Sequence, residues 1–132
     1  MKKLFLCLVL TAAAITTTIV SAKSYEYVLN YGKSQSVSFI KYNADSNIHT
    51  AIKAYQLNNA SAISVNTNIQ VNKLGLWKNH QTQNTVVKNL NSAYELNFNP
   101  TGGGNTKAIW TNKTSGTSLY GRFYLNNGLY AQ

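Results

Sequence analysis

The middle of the chain alternates between β-branched and polar residues at every second position. The β-branched members are Ile63, Val65, Thr67, Ile69 and Val71, and the polar ones between them are Ser64, Asn66, Asn68 and Gln70. Successive side chains of a β-strand point to opposite faces, so each set would share one face. The alternation predicts a half-buried strand, or two, over 63–71.

The rest of the chain beyond residue 22 is rich in Asn, Ser, Thr and Tyr and poor in Leu, Glu and Arg, so helix is at most a minor component. Strand-forming runs alternate with turn-forming clusters, among them 79–84 and 112–116. Further strands are predicted over 25–31, 36–42, 48–57, 74–77, 85–87, 93–99, 106–111 and 117–125. Seven to nine short strands at this spacing predict an all-β fold, a single antiparallel β-sandwich of the immunoglobulin-like kind. A closed barrel is the alternative.

Residues 1–22 have the pattern of a secretory signal peptide. Lys2 and Lys3 precede the apolar run 4–10, and small residues end the segment at Ala22. Four threonines within it leave too short an apolar stretch for a membrane-spanning helix. We therefore predict that the protein is secreted and that residues 23–132 form one domain. The single cysteine, Cys7, lies in the signal peptide, so this domain is cysteine-free.

The charge of the predicted mature chain is strongly positive. Of 12 Lys and Arg, two lie in the signal peptide, and the remaining ten face three carboxylates, which gives a net charge of +7. Such a field favours an anionic partner, although charge that serves only solubility is the alternative. Outside a cell, the anionic partners are cell-wall polymer, lipid headgroups reached by peripheral membrane contact, and acidic polysaccharide. The basic residues never form a run, so we predict no specific nucleic-acid partner.

The last two predicted strands supply the candidate binding surface. If 112–116 were a hairpin loop that pairs Thr111 with Thr117, Leu119 and Phe123 would face the core. An aromatic strip around one arginine would then face solvent, although a bulge or a one-residue slip would send Trp110 inward. With two neighbouring lysines, the candidate binding residues are Trp110, Tyr120, Arg122, Tyr124, Lys107 and Lys113. The alternative is that these rings serve as ordinary cross-strand stabilisers.

Groups suited to catalysis are scarce. The predicted mature chain has three carboxylates, two histidines and no cysteine, and His49 and His80 are 31 residues apart with no acidic residue beside either. Metal sites need clusters of such ligands. We predict no enzyme, no catalytic residue, no metal and no cofactor. The least favoured alternative is a secreted ribonuclease that uses Glu95, one histidine and Arg122.

The carboxyl-terminal part resembles a group of known proteins. Residues 109–112 (IWTN) and 116–126 (GTSLYGRFYLN) are similar to the closing segment of small exported β-sandwich proteins of Gram-positive bacteria, and more distantly to lactococcin 972-type bacteriocins. The resemblance rests on these 15 residues of the 132, and these bacteriocins have a shorter mature length. It implies an exported, cofactor-free, all-β protein that can be antagonistic toward neighbouring cells. No functional residue is carried over.

Together these observations predict a secreted, non-enzymatic protein that binds an anionic cell-envelope or other extracellular polymer. The alternative is a secreted bacteriocin-like antibacterial toxin.

Overall fold

The computed structural model describes residues 23–41, 45 and 47–126, and all regular secondary structure in that part is β-strand. The predicted signal peptide lies outside the described residues. The strands are β1 Lys23–Asn30, β2 Ser34–Lys41, β3 Ile48–Asn58, β4 Ile63–Lys73, β5 Leu76–Val87, β6 Ala93–Phe98, β7 Gly104–Asn112 and β8 Ser118–Asn126. The abundance of Thr, Tyr, Val and Ile accounts for this strand-rich fold, because these residues fit a pleated, half-buried surface.

The strands form two antiparallel sheets of four strands each. Sheet I has the order β1-β8-β3-β6, and sheet II has the order β2-β7-β4-β5. Only the β4–β5 connection among the described elements joins neighbouring strands of one sheet. The predicted sandwich is confirmed. Its strand order is that of an eight-stranded jelly roll, and not the ABED/CFG order of an immunoglobulin domain.

Strand β4 confirms the alternation on which the prediction was based. Its inward residues, from Ile63 to Val71, are at most 5% exposed, and the polar residues between them are half-buried on the outer face of sheet II. The outer face of sheet II is therefore lined by amides and hydroxyls.

The centre of the core is aromatic. Trp110 of sheet II is fully buried, with its ring centroid 5.2 Å from that of Phe123 in sheet I. Tyr27 of β1 contacts the same pair, 5.6 Å from Phe123. The prediction that Trp110 faces solvent is wrong. Strands β7 and β8 lie in different sheets, so no hairpin register relates their faces.

A buried amide explains why the chain crosses between sheets at this point. Asn112 is fully buried, and its Nδ2 donates to the backbone oxygens of Leu29 and Thr117, at 3.1 and 3.2 Å. Its Oδ1 accepts a hydrogen bond from the Thr114 N–H at 2.8 Å. These bonds fasten residues 113–117 to β1. The segment therefore passes through the depth of the sandwich and does not fold back along sheet II.

Strand β5 corrects a second prediction. The predicted turn 79–84 is wrong, because Leu76–Val87 is one continuous strand paired with β4. It includes the predicted strand 85–87 and the second half of 74–77. The turn lies earlier, at Leu74 and Gly75, whose φ angles are 55° and 85°. Two central residues with positive φ make the type I′ turn that suits the twist of a hairpin.

Candidate functional site

The structure does not bring the six candidate binding residues onto one surface. Trp110 lies in the core, while Tyr120, Arg122 and Tyr124 lie on the outer face of sheet I. Lys107 lies on the outer face of sheet II, and Lys113 is exposed in the β7–β8 connection. Tyr120 and Arg122 are partly exposed beside the fully buried Leu119 and Phe123, whereas Tyr124, which was expected to face solvent, is buried at 6% exposed.

The guanidinium group of Arg122 is bound by side chains of the same chain. Its Nε donates to the Tyr55 hydroxyl at 3.2 Å, and one terminal nitrogen donates to Ser24 Oγ at 3.1 Å. The other terminal nitrogen forms an ion pair with Glu26. The hydrogen bond with Tyr55, and then the one with Glu26, raise the pKa of Arg122 above its ordinary value. The ion pair is more than a third exposed, so solvent screens it and it contributes little to stability.

The two tyrosines beside Arg122 are also engaged. Tyr120 donates its hydroxyl proton to Glu26 Oε2 at 3.2 Å, and its ring lies 5.6 Å from that of Tyr55. The hydrogen bond to Glu26 raises the pKa of Tyr120. Tyr124 is only 6% exposed, and burial raises its pKa. The outer face of sheet I thus carries a cluster whose charges and hydroxyls largely satisfy one another.

The outer face of sheet II presents a row of polar side chains from two neighbouring strands. Asn68 of β4 donates to Thr82 Oγ1 of β5 at 2.6 Å, and Gln70 donates to Asn79 Oδ1 at 3.0 Å. These bonds fix the orientation of the amides. We call this set the amide row; its members are Ser64, Asn66, Asn68, Gln70, Asn79, Thr82 and Asn84.

An aromatic ring and a lysine stand at one end of the amide row. Trp77 of β5 is 38% exposed, and Lys107 Nζ of β7 lies 4.2 Å from the centroid of its ring. Lys107 pairs with Gln70 of β4, the strand that lies between β7 and β5. A cation–π contact at an exposed site contributes about 0.5–1 kcal/mol, enough to bias the position of the ammonium group. This end of sheet II combines an aromatic surface, a positive charge and oriented amides.

Sequence reasoning found half of this surface. The β4 members of the amide row were placed correctly on a polar face. The β5 members of the amide row are not predicted, because the composition of 79–84 indicates a turn, and Trp77 falls in the predicted strand 74–77 with no face assigned to it. The dipeptide Leu74-Gly75 was the available signal. Gly75 follows the alternating run 63–71 by a few residues, and such a glycine marks a turn after which a second strand can begin.

The residues of the ribonuclease alternative are divided. Glu95 and Arg122 lie on the outer face of sheet I, where His49 also lies, but Arg122 is bound to Glu26. His80 belongs to β5 of sheet II, and its Nε2 lies 3.0 Å from the Asn99 carbonyl oxygen. Within the described part of the chain, no three His, Cys, Asp or Glu side chains are grouped as metal ligands. Nor does a membrane-spanning helix occur there.

Comparison with known proteins identifies the fold. No protein-family model and no curated protein matches the sequence. Among solved structures, the chain is similar to tripeptidyl peptidase 2, with a TM-score of 0.58 at 8% identity, over 80% of this chain and 10% of that one. It is also similar to the Yersinia pseudotuberculosis-derived mitogen, with a TM-score of 0.51 at 8% identity, over 84% and 89% of the two chains. The present chain thus spans about a tenth of the length of the peptidase, and at such identities the likeness shows a shared β-sandwich fold and nothing further.

Proposed function

We propose that this is a secreted, non-enzymatic protein that binds an extracellular polysaccharide bearing acidic groups along the outer face of sheet II. The observation that carries the proposal is the Trp77–Lys107 pair at one end of the amide row. Each part of this surface corresponds to a different chemical feature of such a polymer.

The amides suit sugar hydroxyls. Asn and Gln side chains both donate and accept hydrogen bonds, as hydroxyls do. The hydrogen bonds between β4 and β5 hold Asn68 and Gln70 in place, so less conformational freedom is lost on binding. The row runs along β4 from Ser64 to Gln70, about 20 Å at about 3.3 Å per residue. This length suits several units of an extended polymer.

The charge of sheet II favours an acidic polymer over a neutral one. None of its four strands contains an Asp or Glu, whereas sheet I contains Glu26 and Glu95. Lys107 therefore stands on a face without carboxylates, in contrast to Arg122, which is paired with Glu26. A carboxylate or phosphate on the polymer would find its counter-charge at Lys107.

The test is binding of one acidic polymer, polygalacturonate, against neutral dextran at low and rising salt. We expect polygalacturonate to be retained at low ionic strength and released above physiological salt, where exposed charges are screened over about 8 Å. Trp77→Ala and Lys107→Gln should each weaken binding about tenfold, the loss of one stacking or charge contact. Tyr31→Ala and Lys33→Gln are the matched controls, because both residues are exposed at the opposite end of the sandwich.

Two outcomes would overturn the proposal. One is no difference between polygalacturonate and dextran at low salt. The other is an equal loss for the Trp77 and Tyr31 variants, which would mean that the face has no special role. Export is tested separately: we expect mass spectrometry of the culture medium to find a chain that begins at Lys23, and a chain retained in the cell would contradict this part.

A further inference from the structure

The tip of the β4–β5 hairpin exposes apolar side chains. Leu74 is fully exposed, with a relative accessibility of 104%, and Leu76 is 64% exposed. Leu74 also has φ 55°, in the left-handed region that favours Gly, Asn and Asp. We call Lys73–Lys78 the hairpin tip.

Two local preferences oppose leucine at position 74. The first central position of a type I′ turn is usually Asn, Asp or Gly, and a branched apolar side chain in this conformation is strained. Full exposure of leucine also leaves its apolar surface in water. Residues that break local rules without a benefit to the fold are candidates for function.

The hairpin tip also projects beyond the other sheet. Toward the tip, His80 and Gln81 of β5 still bond the backbone of Asn99, just after the end of β6. The β5 residues before them, Leu76–Asn79, are all exposed. Among the described residues, sheet I therefore leaves the tip open to a surface.

The surroundings of the tip are basic. Lys73 and Lys78 lie at its two ends, and residues 63–87 contain no Asp or Glu. Leu74 lies at the point, Lys73 and Leu76 are paired just behind it, and Trp77 and Lys78 follow. Leucine, tryptophan and lysine together are the side chains that enter a lipid interface. The apolar groups reach the acyl boundary, the indole ring sits at headgroup level and the ammonium groups meet phosphates.

We propose that the hairpin tip inserts Leu74 and Leu76 into the interfacial layer of an anionic lipid bilayer, with Lys73 and Lys78 at the headgroup phosphates. An insertion depth of about 5–10 Å is typical of interfacial segments, and about two residues on each side of the turn cover it at about 3.3 Å per residue. At this depth, the backbone N–H and C=O groups of the hairpin tip that are not paired between β4 and β5 remain in contact with water. Trp77 is shared with the proposed polysaccharide site, but neither leucine belongs to the amide row, so Leu74 variants separate the two proposals.

The experiment uses the full chain with phosphatidylcholine vesicles, with and without phosphatidylglycerol. We expect binding only with phosphatidylglycerol, a blue shift of Trp77 emission, and quenching of Trp77 by brominated lipid. Leu74→Asn should lower vesicle binding about tenfold or more, as expected for loss of one buried leucine. Asparagine also suits the φ of this turn, so the variant retains the fold. Leu90→Asn is the matched control, because Leu90 is 49% exposed at the opposite end of the sandwich, and it should change binding less than twofold.

The readouts separate the tip from other sources of binding. Residues 1–22 contain no tryptophan and are the same in every variant. The other tryptophan, Trp110, is fully buried in the core and is shielded from brominated lipid, so quenching reports on Trp77 at the tip. Vesicle binding without quenching would overturn the proposal, as would equal losses for the Leu74 and Leu90 variants. Tip-dependent retention on intact cells without vesicle binding would point to a protein or wall partner and would also overturn it. Leu74→Asn should leave polygalacturonate binding unchanged, whereas Lys107→Gln should weaken it, so failure of either proposal can be recognised separately.

Discussion

Replacing Gly121 by alanine should destabilise the fold by pushing two strands of sheet I apart. A Cβ at Gly121 would lie 2.4 Å from the Lys53 backbone oxygen and 2.9 Å from Ala54 Cα. Both obstacles are backbone atoms of β3, so no side-chain rotation relieves the contact. The pairing of β3 with β8 shifts register between Ala54 and Gln56, beside this glycine. To restore an ordinary contact of 3.4 Å, β3 must move by about 1 Å.

Overpacking of this kind costs about 1–3 kcal/mol. The lower entropy of an unfolded chain with alanine returns about 0.4–1 kcal/mol. Because both obstacles are backbone atoms, the cost should lie in the upper part of its range, which leaves a net loss of about 1–2.5 kcal/mol. Urea unfolding followed by circular dichroism measures the change. Ser36→Ala, on the exposed face of β2, is the control and should lie within about 0.5 kcal/mol of the wild type. Equal stability of the Gly121→Ala and Ser36→Ala variants would refute the close approach of β3 to β8.

Three further predictions concern the core, the sheet crossing and the tyrosine cluster. Phe123→Ala should cost about 3–5 kcal/mol in urea unfolding, because Phe123 is fully buried against Trp110; a cost below about 1 kcal/mol would contradict the aromatic core. Asn112→Ala should cost about 1–3 kcal/mol, since it removes the side-chain partner of the Leu29 carbonyl and of the Thr114 N–H, and a neutral result would show that this amide does not hold the crossing. Glu26→Gln should lower the pKa of Tyr120, read by ultraviolet titration. A raised tyrosine pKa contributes stability that is fully present below the unfolded value of about 10 and is lost as pH rises through the folded value, so Glu26→Gln should also flatten the loss of stability above about pH 10.

Alternation along a single strand was enough to predict which residues face inward. The inward set of β4 and the inward Leu119, Phe123 and Leu125 of β8 were all identified, because period two depends only on local geometry. The sandwich class followed from the number and spacing of the strands. These features need no knowledge of which strand pairs with which.

Which strands pair with one another could not be predicted from the sequence. A short polar connection such as 113–117 can close a hairpin or cross from one sheet to the other with the same turn-forming residues. Here the choice depends on where Asn112 finds acceptors, and one of them, the Leu29 carbonyl, is far away in the chain. The error in β5 has the same origin. An amide-rich edge strand resembles a turn until its partner strand is known, and tertiary pairing with β4 overrides local propensity.

The two proposed binding surfaces point in different directions, so one molecule could use both at the same time. The hairpin tip points along the axis of β4 and β5, whereas the amide row faces sideways from the same two strands. A protein with its tip in a bilayer would therefore hold the outer face of sheet II steeply inclined to the membrane. A polymer that extends outward from the membrane surface would then run along the amide row, starting near Trp77 and Lys107. On this arrangement, vesicles that carry both phosphatidylglycerol and an attached acidic polysaccharide should be bound more tightly than either ligand alone, because the second contact becomes intramolecular. Simple addition of the two separate affinities would show that the tip and the face are not used together.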